Sequence, residues 1–180
     1  MIAAPASPHH VGNTDSASHL LHIVAVRPRL PVGVPRILIT GMSGVGKSTL
    51  LSALGDRGHR VIDTDYGPWK TADGLWDEPR VSELLDSVAS VVVAGTVENQ
   101  GRFYDRLDHR VLLSAPEEVI LARVAHRTNN PYGRTESDRR DIRLNLRMIE
   151  PLLRTRATME LDGTDPVERL ADRVEKLLLE

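Results

Sequence analysis

Cysteine is absent from the 180 residues, which excludes a disulfide framework and any thiolate metal site. Aromatic residues make up only 3% of the chain, so a core must be built mainly from Leu, Val, Ile and Ala. Excess charge of either sign is also missing, since 23 basic and 25 acidic residues leave a formal net charge of −2. That balance argues against a general nucleic-acid or membrane-surface binder. No apolar run reaches membrane-spanning length, and the first residues lack a charged-then-apolar signal arrangement. The expectation is a cytoplasmic protein, monomeric or homodimeric, whose partner is a small molecule rather than nucleic acid or membrane. Lysine is scarce as well. Only Lys47, Lys70 and Lys176 occur beside 20 arginines, nine of which fall between Arg123 and Arg156 with four acids. Such planar, permanently charged forks suit phosphate clamping, or else form a solvated helix face.

The length allows one α/β domain with a proper core. Residues 1–35 read as a flexible leader, with Pro5, Pro8, Pro28, Pro31 and Pro35 and no sustained period. Within it, Leu20 to Val26 is a candidate docked apolar patch, and His9-His10 is too slight for a metal site. From Arg36 to Glu180 strands and helices alternate. Strands are predicted over 36–40, 59–63, 90–94, 110–114 and, as an edge, 157–161. Helices are predicted over 47–57, 78–89, 102–106, 116–127, 137–150 and from 165 onward, on apolar periods such as Val81, Leu84, Leu85 and Val88. Repeating βα units with right-handed crossovers imply a three-layer, doubly wound parallel sheet.

Gly41-Met42-Ser43-Gly44-Val45-Gly46-Lys47-Ser48 fits the phosphate-binding pattern G-x-x-x-x-G-K-[ST], between a predicted strand and a predicted helix. A strand that breaks into glycines and restarts as a helix leaves N–H groups unpaired at the helix start. With the helix dipole these form an anion cradle for a nucleoside triphosphate. Gly41, Ser43, Gly44, Val45, Gly46, Lys47, Ser48 and Thr49 are therefore candidate nucleotide contacts. Lys47 supplies a mobile cation for the β- and γ-phosphates, and the Ser48 hydroxyl completes a Mg2+ shell.

Ligands of an open parallel sheet sit beyond the carboxyl ends of its strands. Strand two ends there in Asp63-Thr64-Asp65. Two carboxylates one residue apart at a strand end point to the same side. Either Asp63 orders Mg2+, partly through water, while Asp65 orients or deprotonates an acceptor hydroxyl, or both merely cap a turn and a helix.

The order of these features resembles the shikimate kinase and gluconate kinase group, and more broadly the nucleoside monophosphate kinase-like fold. It comprises the phosphate loop, D-x-D after strand two, a glycine after strand three, an arginine-rich segment after strand four and a final βα unit. The resemblance covers roughly Arg36 to Glu180 and implies strand order 2-3-1-4-5, with ATP and Mg2+ as cofactors. It implies that Asp63 assists Mg2+ and that Asp65 holds or activates the substrate hydroxyl. Tyr104-Asp105-Arg106 is also similar to gluconate kinase. Where shikimate kinases have three glycines, this chain has Gly95-Thr96-Val97-Glu98-Asn99-Gln100. Ala94-Gly95 ends strand three without an acid.

The break from Arg127 to Thr135 looks like an arginine-rich lid. There Arg127 would act catalytically, Arg123 on the nucleotide and Arg134 on the substrate; otherwise these arginines are surface charge. Asp162 to Pro166 matches the adenine-holding loop of the fold. The acceptor is expected near Trp69, Trp76, Arg80, Gly95, Thr96 and Asn99, although each Trp serves packing equally well and Asn99 would also fix its loop. Three functions stay open: an ATP-dependent kinase of a small hydroxyl-bearing metabolite, a nucleoside monophosphate kinase, and a non-catalytic nucleotide-binding module.

Overall fold

The computed structural model describes residues 35–128 and 130–179. The leader expected over 1–35, with its Leu20–Val26 patch and histidine pair, lies outside the described residues apart from Pro35.

Five parallel strands form one sheet in the order β2-β3-β1-β4-β5, as the resemblance implied. They are β1 (Arg36–Thr40), β2 (Val61–Asp63), β3 (Val91–Ala94), β4 (His109–Ser114) and β5 (Met159–Asp162). The central strand β1 pairs Ile37 with Val92 of β3 and with His109 of β4. Side chains alternate along these strands, so each face receives its own core. Ile37, Ile39, Val92 and Ala94 join one cluster with Leu50 and Leu54 of helix α1 (Lys47–Asp56) and Val174 of α6 (Val167–Leu178). Leu38, Val91 and Val93 join the other, with Val81 and Leu85 of α2 (Glu78–Ser87). Three layers result because the central strands β1 and β3 are apolar on both sides.

Several boundaries differ from the sequence reading; β2, for one, starts at Val61 rather than at residue 59. The helix predicted over 137–150 is instead α4 (Glu136–Met148), followed by a separate α5 (Glu150–Arg156). Pro151 has no N–H to continue the ladder, so the axis breaks just before it. The segment read as a short helix at 102–106 is a 3₁₀ helix from Glu98 to Arg106. The edge strand β5 starts two residues later than predicted.

Helix α3 (Glu117–His126) leads from β4 to the arginine-containing segment before α4. At the start of α4, the Thr135 hydroxyl accepts from the Asp138 N–H at 3.1 Å, and Asp138 Oδ2 accepts from the Thr135 N–H at 3.1 Å. This capping box fixes where that segment ends. No helix among the described residues is long and apolar enough to cross a membrane.

Candidate active site

The phosphate loop occupies the gap between the buried end of β1 and α1. Gly41 has φ 146°, and a Cβ there would lie 2.1 Å from the Leu113 carbonyl oxygen of β4. Gly44 has φ 94°, and its Cβ would lie 2.7 Å from Val124 of α3. Glycine is therefore required on both conformational and steric grounds. No side chain caps the N-terminus of α1, which leaves its first N–H groups for an anion.

Lys47 is buried, and its Nζ donates to the carbonyls of Gly41 at 2.7 Å and Met42 at 3.3 Å. Burial pushes its ammonium below the ordinary lysine value, against the opposing pull of Asp65 and Asp63. Ser48 Oγ donates to Asp63 Oδ2 at 2.6 Å, so the two oxygen groups proposed for Mg2+ already meet. Asp63 also accepts from the Asp65 N–H at 3.0 Å through its other oxygen. Asp63 thus caps the turn through one oxygen while the other meets Ser48. Asp65 Oδ1 accepts from Lys70 Nζ at 2.6 Å.

A cavity of about 480 Å³ runs along the loop from Ser43 to Thr49 and on to Asp65, Tyr66, Arg123 and Arg127. Its far end is closed by Gly163 and Asp165 of the β5–α6 loop and by Val167 and Leu170. Arg127 donates to Ser43 Oγ at 3.2 Å and to the Tyr132 carbonyl at 2.6 Å. Its Nε is buried without a partner, and burial holds the guanidinium below its ordinary value. An orphaned donor beside a phosphate cradle is a group awaiting an acceptor. Arg123 instead bridges the Val45 carbonyl at 3.1 Å and the Gly163 carbonyl at 2.9 Å. It ties the phosphate loop to the β5–α6 loop.

An AAA domain family, AAA_18, matches residues 37–144. The chain belongs to this family. The matched stretch runs from β1 through the phosphate loop, both aspartates and the arginine-containing segment into α4, and so contains most of the cavity. A nucleotide-binding protein of Thermosipho melanesiensis is 32% identical over 111 residues, which is 56% of this chain and 38% of that protein. A dephospho-CoA kinase of Deinococcus radiodurans is 35% identical over 77 residues, 41% of this chain and 34% of that one. The chain thus spans little more than a third of the length of these curated relatives. Shikimate kinase from Acinetobacter baumannii, solved with shikimate, superimposes with a TM-score of 0.62 at 23% identity. That match covers 81% of this chain and 93% of the other, and it shows the P-loop kinase fold.

Around the residues expected to hold an acceptor, the AAA domain departs from the sequence reading. Trp76 is only 2% exposed, donates through Nε1 to Thr64 Oγ1 at 2.9 Å, and packs edge-on against Phe103. It is a core residue and cannot stack on a ligand. Asn99 is buried and accepts from the Trp76 N–H at 2.9 Å while donating to the Trp76 carbonyl at 3.1 Å. Its amide is consumed in fixing that segment. A Cβ on Gly95 would meet Thr64 Oγ1 at 2.2 Å, so the glycine makes room for packing rather than for substrate. Thr96 turns its hydroxyl to Gly41. Trp69 is half-buried against the second core. Arg80 is exposed and lies 3.9 Å from Asp77, away from the cavity.

Two further residues sit beside the cavity rather than in it. Arg134 donates to the Arg127 carbonyl at 3.0 Å, so its contact is with the backbone of the segment before α4. Asp162 accepts from the Thr164 hydroxyl at 2.7 Å and the Thr164 N–H at 2.8 Å, bonds that hold its carboxyl below the usual range. It shapes the β5–α6 loop, and Pro166 precedes α6 on the same loop. Sequence reasoning missed Tyr66, Val167 and Leu170 of the cavity wall, and the Lys70–Asp65 pair. Tyr66 follows Asp65 directly and is 51% exposed. An exposed aromatic in so aromatic-poor a chain was the available signal.

Proposed function

We propose that the protein is an ATP-dependent kinase that phosphorylates a hydroxyl group of a small metabolite. The observation that carries this is a single cavity holding the phosphate cradle, Lys47, Arg127 and the Asp65 carboxylate. The amides of the loop hold the triphosphate, and Lys47 turns from the Gly41 and Met42 carbonyls to its β- and γ-oxygens. Ser48 and Asp63, whose oxygens already meet at 2.6 Å, would hold Mg2+, which would supply positive charge to offset that of the phosphates.

Asp65 has one oxygen on Lys70 and leaves the other to receive the acceptor hydroxyl. As the acceptor oxygen bonds to the γ-phosphorus, the bond from that phosphorus to the β,γ-bridging oxygen breaks and ADP departs. The hydroxyl proton passes to Asp65. Arg127 brings its unpaired Nε–H toward the transferring group. Closure of the lid around Arg127 to Thr135 excludes water, which would otherwise compete as acceptor.

The test is a screen with ATP and Mg2+ against sugar acids, shikimate, nucleosides, nucleoside monophosphates and hydroxylated antibiotics, followed by product mass. A phosphorylated hydroxyl product that disappears with Lys47→Ala supports the reading. Transfer only to nucleoside monophosphates favours the phosphate-acceptor alternative, in which Asp65→Asn keeps most activity. Nucleotide binding with no product from any acceptor overturns the kinase reading.

A further inference from the structure

Strand β3 of this chain ends in Ala94-Gly95, with no acid facing the phosphate loop. The next residue, Thr96, reaches across to the first glycine of that loop. Its hydroxyl donates to the Gly41 carbonyl at 2.8 Å and accepts from the Gly41 N–H at 3.1 Å. Those two groups belong to the peptide units on either side of the Gly41 Cα, so one hydroxyl fixes both planes. From the opposite side, the Leu113 carbonyl leaves no space for a Cβ on Gly41. Gly41 is therefore held between β3 and β4.

The same Gly41 carbonyl is the nearest acceptor of Lys47, at 2.7 Å. Its two lone pairs are shared between the Thr96 hydroxyl and the Lys47 ammonium. Behind Thr96, the hydroxyl of Thr40 lies 3.0 Å from Thr96 Oγ1. Gln100 Nε2 donates to Tyr104 Oη at 2.8 Å and approaches Thr40 Oγ1 at 3.4 Å. With the Thr96 proton on the Gly41 carbonyl, Thr40 donates to Thr96, and these two successive bonds run toward the loop. Chains of this polarity strengthen their terminal bond.

We propose that Thr96 is a positioning residue for Lys47, acting through the Gly41 peptide. Before nucleotide arrives, Lys47 rests on the Gly41 and Met42 carbonyls. To reach phosphate it must leave them. Thr96 keeps the Gly41 carbonyl hydrogen-bonded after that departure, so the ammonium moves without stranding a buried acceptor. It also keeps the Gly41 N–H from becoming an unpaired buried donor. In an apolar replacement the carbonyl has only Lys47 as partner and retains it. Thr96 thereby does for the loop, through a neutral hydroxyl, part of what an acidic strand end would do through charge and water. The inference rests on the nucleotide-binding half of the proposed function and makes no use of the acceptor.

Calorimetric titration of Mg-ATP into the full chain tests it, with the thermal midpoint recorded for every variant. Thr96→Val should weaken Mg-ATP binding about tenfold, and Thr96→Ser, which keeps the hydroxyl, should stay within about threefold of the native chain. In a Lys47→Ala background, adding Thr96→Val should change affinity by less than about twofold, because the lysine it acts on is gone. If the valine variant does not fold, Thr96→Ala carries the same reading. Native-like affinity in Thr96→Val overturns the inference. So does a serine variant as weak as the valine one, or a full tenfold loss that persists without Lys47. Failure of the native chain to bind Mg-ATP overturns the nucleotide reading itself, and the inference with it.

Discussion

The two halves of the site are built differently. On the nucleotide side the functional atoms are mainly backbone: loop amides, the open N-terminus of α1 and the peptide planes at Gly41. On the acceptor side, between β2 and α2, polar side chains in reach of the cavity edge are largely consumed by one another. Asn99 holds Trp76, Trp76 holds Thr64, and Arg102 pairs with Glu78 at 2.6 Å. Of that side, only Asp65 and Tyr66 among the described residues line the cavity along the phosphate loop. A backbone-built site is written in glycines and their spacing, since few residues satisfy its geometry. A side-chain site is not, because the same Trp or Asn serves packing as readily as recognition.

The largest effect that would sharpen this contrast is expected at Lys47. Lys47→Ala should lower phosphoryl transfer by about a thousandfold, because Lys47 is the cation proposed to reach the β- and γ-phosphates while Arg123 is held on loop carbonyls; the measurement is kcat with the acceptor found in the screen. Near-native turnover would break the nucleotide half of the comparison. Trp76→Ala should lower stability by about 3–5 kcal/mol through the cavity it leaves, read by denaturant unfolding. A loss of acceptor affinity without loss of stability would return Trp76 to the substrate.

The contrast also explains what was legible in the sequence. Both cores and the phosphate loop follow from apolar alternation and from a motif whose residue types are each demanded by geometry, whereas the sheet order came only from the family resemblance. The break at Pro151 was legible too, but the apolar period of Ile142, Leu146, Ile149 and Leu153 continues across it and masks it. The Lys70–Asp65 pair had no such signature. It depends on a tight turn, in which the Gly74 N–H donates to the Thr71 carbonyl at 3.0 Å and Lys70 bridges Trp76. Only this tertiary arrangement brings the ammonium back to the aspartate. Thr96 was rightly noticed and wrongly assigned, because sequence places it at the strand end but does not tell which neighbour its hydroxyl selects.

Asp65→Asn tests the one acceptor-side residue that faces the cradle. It should lower kcat on a hydroxyl acceptor by about a hundredfold, with ATP affinity changed little, since the amide still accepts a hydrogen bond but takes no proton. Equal loss of ATP affinity would mean that Asp65 serves the nucleotide instead.

A smaller effect concerns pH. The Lys47 value is depressed in the folded chain by burial, so the folded state holds fewer protons than the unfolded one just below the ordinary lysine range. Stability of the nucleotide-free protein should therefore rise with pH across that window, and the rise should vanish in Lys47→Met. Mg-ATP affinity should move oppositely, weakening as the ammonium is lost. Melting curves and titrations through the same buffers separate the two trends, and parallel trends would contradict the buried resting place of Lys47.

The smallest effect is expected at Arg80, and it bears most directly on where the acceptor side ends. The side chain is half-exposed beside Asp77, in the first turn of α2, where a cation faces the positive end of the helix dipole. Its backbone N–H, which donates to Asp77 Oδ1 at 3.1 Å, remains in any substitution except proline. Arg80→Ala should thus leave the melting temperature unchanged or slightly raised, and acceptor KM within about twofold. An acid-gripping arginine would instead raise KM tenfold or more on its removal, with kcat nearly constant. That outcome would extend the acceptor site past the Trp76–Asn99 lock to the start of α2. A null result confines it to the margin of the cavity around Asp65 and Tyr66.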